Sequence, residues 1–274
     1  MVPPAPTSRW DWVEELPLEP GPPTWTMGTR ALEAADWLLA DDEREADLAL
    51  KARLLAERPA EVFAALDTPD VLAASTEVRD LVAAATGASC DPDLHPLDAA
   101  ARVVQEDLCV LVLRDGVPHL DAASLCFPSY WRLADKLGRP LAEVHGPVPH
   151  YAEELAAKVD GFLGRLRPDR IVWRRNWSIH DDPTYFLPDA TVILDPPVPD
   201  GLYLRSERQT LRRLTSTDAV VFTIRTQQAP LAVLAEHPDV ARRMADVIDA
   251  WSDEASAYKG GHGAVAARGW LASR

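Results

Sequence analysis

From Arg30 to about Thr86 apolar residues recur three and four positions apart: Leu32, Ala35 and Leu39, then Leu48, Leu54 and Leu55, then Leu72, Leu81 and Val82. That spacing lines one face of an α-helix, and prolines at 59 and 69 divide the stretch into three or four helices. After Pro96 the period changes. Leu108 to Leu113 is an unbroken apolar run, Asp115-Gly116 is a two-residue hairpin signal, and Val117 to Leu125 resumes a strand pattern. Tyr130 to Leu141 predicts a short helix, Tyr151 to Leu166 a longer one, and Ile171 to Ile179 a strand rich in aromatic and β-branched residues. Leu204 to Leu214 is dense in charge and reads as a connector, followed by a strand at Ala219 to Arg225. Leu231 to Tyr258 is helical with an interruption at Pro238. Strands joined by a tight turn and by helical excursions, without regular βαβ alternation, predict an α+β fold with an antiparallel sheet, flanking helices and an added N-terminal helical region.

The ends read differently. Residues 1–28 hold many prolines together with Trp10, Trp12 and Trp25, which predicts an extended arm laid along the body, since rings of that size are rarely left in water. Gly260-Gly261-His262-Gly263 predicts a mobile tail over 260–274. The body between them, 29–259, reads as a single domain.

Composition narrows the function. The 274 residues are 47% hydrophobic, enough for a sizeable core, and the net charge is -15. Without a basic cluster there is little to displace counterions from a phosphate backbone, so nucleic acid and anionic membranes are disfavoured as partners. A cationic small substrate or a basic protein suits the charge. No run approaches the ~20 apolar residues of a membrane span, and the N-terminus lacks a basic-then-apolar signal pattern, so a cytoplasmic location is expected. Cys90, Cys109 and Cys126 are widely separated, the pattern of reduced thiols rather than of a disulfide framework, a Cys-x-x-Cys zinc site or a four-thiolate iron-sulfur cluster. No glycine-rich nucleotide loop is present, so electrons for any redox chemistry would come from outside the chain.

Four segments carry candidate chemistry. In the run from Cys126 to Tyr151, His145 leaves a short amphipathic segment just before Gly146-Pro147, where the helix must stop and a neutral imidazole can be presented. Trp173 to His180 alternates aromatic and cationic residues, so one strand face carries Arg175, Trp177 and Ile179 together. Glu207-Arg208-Gln209-Thr210 offers a carboxylate, and Val220 to Thr226 is an apolar strand ending in Arg225. On the residues alone, structural roles stay open for each: a hydrogen-bonded turn histidine, a cation–π stack, a salt-bridged turn.

Taken together, Leu-Cys-Phe-Pro-Ser-Tyr-Trp-Arg-Leu-Ala-Asp-Lys with His145-Gly-Pro-Val-Pro, Arg175-Asn176-Trp177-Ser178, Glu207-Arg208-Gln209-Thr210-Leu211 and Thr223-Ile224-Arg225-Thr226 resemble the haem-dependent oxidative N-demethylase family, alpha-subunit-like. Leu94-His95-Pro96-Leu97 and Gln105-Glu106-Asp107-Leu108 extend the similarity. The resemblance implies haem b in a PAS-like α+β fold, a histidine on the iron, and dioxygen used to oxidise a methyl group of a small amine. It also implies that flavin and iron-sulfur centres sit on a separate reductase rather than on this chain. Carried onto this sequence, His145 is the iron ligand, with His150 and His180 as rivals. Arg225 donates to bound oxygen, Glu207 meets an ammonium substrate, Arg132, Lys136 and Arg175 pair the haem propionates, and Trp177 lies along the cofactor. Gln227 stands where the family strand would carry a tyrosine, which points to a different substrate. A haem-binding gas or redox sensor and a haem-free scaffold subunit are the competing readings; no transmitter or DNA-binding module is visible to serve the sensor.

Overall fold

The computed structural model describes residues 9–19, 27–146, 155–189, 196–258 and 261–274. Its centre is a seven-stranded sheet in the order β1-β5-β6-β7-β3-β4-β2, antiparallel throughout. The strands are β1 (Arg30–Leu32), β2 (Phe63–Ala65), β3 (Asp107–Arg114), β4 (Val117–Ser124), β5 (Ile171–His180), β6 (Tyr203–Arg213) and β7 (Val220–Pro230). The α+β reading holds. The β3–β4 hairpin turns at the predicted Asp115-Gly116, both left-handed at φ 51° and 79°, the backbone that a two-residue turn of this kind needs.

Helix α1 (Arg44–Glu57), the short α2 (Pro59–Val62) and α3 (Pro69–Thr86) fill most of the predicted helical region, but its first segment forms β1 and a 3-10 turn at Ala34–Asp36 instead of a helix, and Phe63–Ala65 forms β2. Thr68 caps α3 by accepting from Val71 N at 3.3 Å, Pro69 opens it, and Gly87 closes it at φ 71°. Helix α4 (Pro96–Ala101) follows, with the His95 ring accepting from Leu97 N. Between β4 and β5 run a 3-10 turn at Leu133–Asp135, α5 (Leu141–Val144) and α6 (Ala156–Arg165). The helix predicted for 130–141 is absent, because Tyr130 and Gly138 both take positive φ and break it. The predicted start of the next helix lies outside the described residues. Past β7 come α7 (Pro238–Asp249), α8 (Asp253–Tyr258) and α9 (Gly261–Ala272).

Two sequence readings are corrected here. Leu204 to Leu214 forms the long central strand β6 rather than a connector, because Leu204, Ser206, Arg208 and Thr210 turn to one buried face, where Arg208 donates to the carbonyls of Asp36 and Trp37. The glycine-led tail forms α9, whose Ala264, Ala267 and Leu271 are fully buried.

Strand alternation gives the sheet two distinct faces. On one, Ile171 and Val221 pack with α3, α4 and Trp37. On that same face, Trp177 and Ile179 pack with Trp12, Val13, Leu16 and Leu18 of the N-terminal arm and with α7 and α9. On the other face Cys109, Leu111, Val172, Leu211, Phe222 and Ile224 meet Leu141, Val144, Phe162 and Leu163 from α5 and α6. The arm at 9–19 lies on the body, but Asp11–Glu15 within it is a 3-10 helix rather than extended chain; Trp25 falls outside the described residues.

Candidate functional site

The face under α5 and α6 is covered incompletely. Arg174, Asn176 and Ser178 on β5, Glu207, Gln209 and Leu211 on β6 and Phe222 on β7 are all only half-buried, while their opposite-face neighbours are mostly buried. Strand registry brings them together: Arg174 pairs with Gln209, Asn176 with Glu207, Gln209 with Ile224 and Glu207 with Thr226. A polar strip with apolar shoulders therefore faces the segment that carries His145.

His145 follows α5 as its C-cap residue. Its Nδ1 lies 3.0 Å from the carbonyl oxygen of Leu141, a contact made by the tautomer with its proton on Nδ1 and its lone pair on Nε2. Lys136 Nζ donates to Val144 O at 2.6 Å, tying down the residue just before it. Burial first, and then the nearby Arg174 and Lys136 cations, holds the imidazole below its ordinary pKa, so it stands neutral at pH 7.

Glu207 is held by its neighbours. Asn176 Nδ2 donates to Oε2 at 3.1 Å and Gln209 Nε2 donates to the same oxygen at 2.8 Å, while Asn176 Oδ1 accepts from Glu207 N at 3.1 Å. Thr226, directly across from Glu207, is fully buried and its hydroxyl has no hydrogen-bond partner among the described residues. Cys109 lies close by, its thiol pushed up by burial and then by Asp107 and Glu207, which keeps it protonated and inert. Beyond Ser178, His180 is 2% exposed, accepts or donates at 2.7 Å with Ser178 Oγ, and stacks on Tyr130 with ring centroids 4.9 Å apart. Burial drives His180 down to about 3. Enclosed in this way, it is not presented to a cofactor. His150 lies outside the described residues.

The other proposed residues separate from this strip. Arg175 and Trp177 share a face, as alternation requires, but it is the opposite one. Arg175 donates to Gln227 Oε1 at 2.8 Å, Ser206 Oγ at 3.2 Å and Glu15 Oε2 at 2.7 Å, and Trp177 stacks on Trp251. Arg225 is also there, 1% exposed, with Nη2 2.8 Å from both oxygens of Asp41 and 2.9 Å from Asp47 Oδ2. Burial alone would lower its pKa, but Asp41, Asp47 and Glu106 outweigh that and raise it. Asp41, gripped bidentately by Arg225 and also bonded by Gln105, is lowered despite burial; the more enclosed Asp47 is raised by burial, with Asp41 and Glu43 adding to it. Arg225 is therefore a buried counterion of the helical layer, and the structure does not bring it to His145. The Gln105-Glu106 motif serves the same network: Gln105 also bonds Asp47, and Glu106 Oε1 accepts from Leu39 N at 2.7 Å. Arg132 is exposed and paired with Asp189 at the surface.

The site thus keeps His145, Lys136 and Glu207 and adds Arg174, Asn176, Gln209 and Thr226. Their signal lay in the β5 alternation: once the odd positions of β5 pack inward on helices, its even positions face the other way. Among the described residues no three His, Cys, Asp or Glu side chains converge as a metal-ion cage. An iron held beside His145 would have to bring most of its ligands with it, as a porphyrin does. A single neutral imidazole, flanking cations and a half-open strip with the apolar shoulders Leu211 and Phe222 suit that group. No helix among the described residues is long and apolar enough to cross a membrane. Residues 81–266, which include every strand of the site and leave out α1 and α2, match the sequence model of a family described as haem-dependent oxidative N-demethylase, alpha subunit-like.

Proposed function

Because the chain belongs to the haem-dependent oxidative N-demethylase, alpha subunit-like family, we propose that it holds haem b between His145 and the half-open strip of β5, β6 and β7 and oxidises a small amine. The five strands in the order β4-β3-β7-β6-β5, with the helical excursion between β4 and β5 covering one face, support a PAS-like reading of the core. The sheet and its covering helices act as one haem-holding unit.

When bound, the haem supplies one-electron chemistry and a site for dioxygen. The chain's own residues do the rest. His145 offers Nε2, in a tautomer set by its contact with Leu141 O, and Lys136 fixes the turn that aims it. Arg174 and Lys136 supply positive charge for the propionates, the role expected of Arg132, Lys136 and Arg175 from sequence; Arg175 lies on the wrong face for it. Glu207 anchors an ammonium group, and Leu211, Phe222 and Ile224 keep water from the methyl groups. Electrons come from a separate reductase bearing flavin and iron-sulfur centres, and the protein works in the cytoplasm.

The observation that carries this reading is the incompletely covered face of three neighbouring strands, bordered by a neutral histidine. The test is an absorption spectrum of protein expressed with ample haem, beside His145→Ala, as isolated and after reduction under carbon monoxide. A Soret band that shifts or vanishes in the variant supports the reading, and amine-dependent oxygen consumption with formaldehyde release follows from it. A colourless wild-type protein would remove it.

A further inference from the structure

At the end of the half-open strip, two buried groups leave bonding capacity unused beside a hydroxyl that a ligand can reach. His180 is 2% exposed, and stacking on Tyr130 at 4.9 Å and 12° pins its ring. Its Nε2 lies 2.7 Å from Ser178 Oγ, whereas Nδ1 is buried with no hydrogen-bond partner among the described residues. The neutral ring carries one proton, which sits on one nitrogen or the other. On Nδ1 it would be a buried donor with nothing to accept it; on Nε2 it is used by Ser178, and Nδ1 keeps a bare lone pair. An orphaned N–H in a dry interior is the rarer defect, so Nε2 holds the proton. Ser178 Oγ then accepts from His180, and its own O–H is left to donate. Ser178 is half-buried on the open face, and no second hydrogen bond engages it among the described residues.

Directly across from Ser178 stands Arg205, 1% exposed. Its Nη atoms donate to the carbonyls of Phe127, Pro128, Thr184 and Tyr185, and its Nε has no partner. No carboxylate among the described residues forms an ion pair with it, and burial holds its pKa below the ordinary value despite Glu207 and Asp107. Nearby Asp182 is occupied in accepting from Thr184 N at 2.7 Å. A buried cation without a bonded counterion gives this end of the strip a fixed positive charge.

We propose, resting on the haem-side reading above, that Ser178 donates its O–H to a carboxylate received at this end of the strip, with His180 as the positioning residue that aims the hydroxyl and Arg205 as the charge behind it. Two sources share that chemistry, a haem propionate and a free small carboxylate. Either one pairs the hydroxyl and offsets the buried guanidinium at once.

The first measurement is the His180 tautomer, from long-range proton–nitrogen spectra of the full chain labelled in its histidines. The proton is expected on Nε2; a proton on Nδ1 would tie up the Ser178 hydroxyl and overturn the proposal. The second compares release of haem and of haem dimethyl ester, which lacks both carboxylates, together with binding of sodium acetate. Ser178→Ala should release haem about tenfold faster than wild type, as loss of a hydrogen bond to a charged group requires, and release the ester at the wild-type rate. That outcome assigns the carboxylate to the haem. Unchanged haem release with acetate affinity about tenfold weaker assigns it to a free ligand instead. His180→Gln, which keeps an N–H near the Nε2 position, should match wild type, whereas His180→Leu should lose part of the effect; ester release reports whether each variant still folds. A haem-to-ester ratio and an acetate affinity that both ignore Ser178 would overturn the proposal and leave the haem reading standing. A chain that takes up no haem would remove the haem reading, and the tautomer and acetate binding would still decide the role of Ser178.

Discussion

Replacing Arg225 by alanine separates a role in chemistry from a role in holding the fold. The guanidinium is 1% exposed and lies 2.8–2.9 Å from carboxylates whose side chains are 19% (Asp41) and 4% (Asp47) exposed. Glu106 is within electrostatic reach as well. Arg225→Ala strands these carboxylates without their cation, and breaking such a buried pair costs about 3–5 kcal/mol. For a chain of this size that is a fall in Tm of roughly 6–15 °C. The pH dependence has a definite sign. With Arg225 in place Asp41 sits low, so its contribution is present above the unfolded carboxylate pKa and lost as pH falls. Without Arg225, burial pushes both aspartates up, the native state binds protons more tightly than the unfolded state, and the variant gains stability as pH falls toward about 4–5. Adding Asp47→Asn should restore part of the loss, with clear non-additivity. Thermal melts across pH would show this, while the Soret band and oxidation rate per folded molecule stay close to wild type. A variant melting within about 2 °C of wild type yet unable to oxidise amine would refute the reasoning and return Arg225 to the reaction.

Asp107, whose carboxylate accepts from Cys126 N at 2.9 Å and Phe127 N at 2.7 Å, is raised by burial to about 6. Its share of native stability should therefore grow as pH falls through about 6, and urea midpoints of Asp107→Asn, which loses one acceptor, should lack that part of the pH slope; an identical slope would contradict the shift. Gly263→Ala should destabilise by about 1–3 kcal/mol, because an added Cβ would meet Ile179 O at 2.8 Å; hydrogen exchange in α9 would report the loosened packing, and unchanged protection would show that α9 does not dock there.

Much of the fold was legible because local signals agreed with tertiary needs. Asp115-Gly116, the prolines at 59 and 69 and the apolar run at Leu108 each dictate one backbone outcome. The reading of β6 failed because its arginines look solvated in sequence, whereas Arg205 is 1% exposed and spends its donors on the carbonyls of Phe127, Pro128, Thr184 and Tyr185. Such partners are distant in sequence, so the pattern carries no trace of them. The same holds for the site. Alternation grouped Arg175 with Trp177 correctly, but which face of β5 meets His145 depends on the arm and α9 packing against Trp177 and Ile179. With that face taken, the adjacent Arg174 and Asn176 become the candidate site residues.

The outer strands of the sheet, β1 and β2, are only three residues long, while β5 runs for ten and, among the described residues, is paired on its outer side only as far as Trp173. A bare row of amides and carbonyls is a template for joining another chain edge to edge. Here the start of α9 presses its Gly263 against Ile179 O, so a helix stands at the far end of that open side. A helix seated there obstructs an incoming strand at that end of β5.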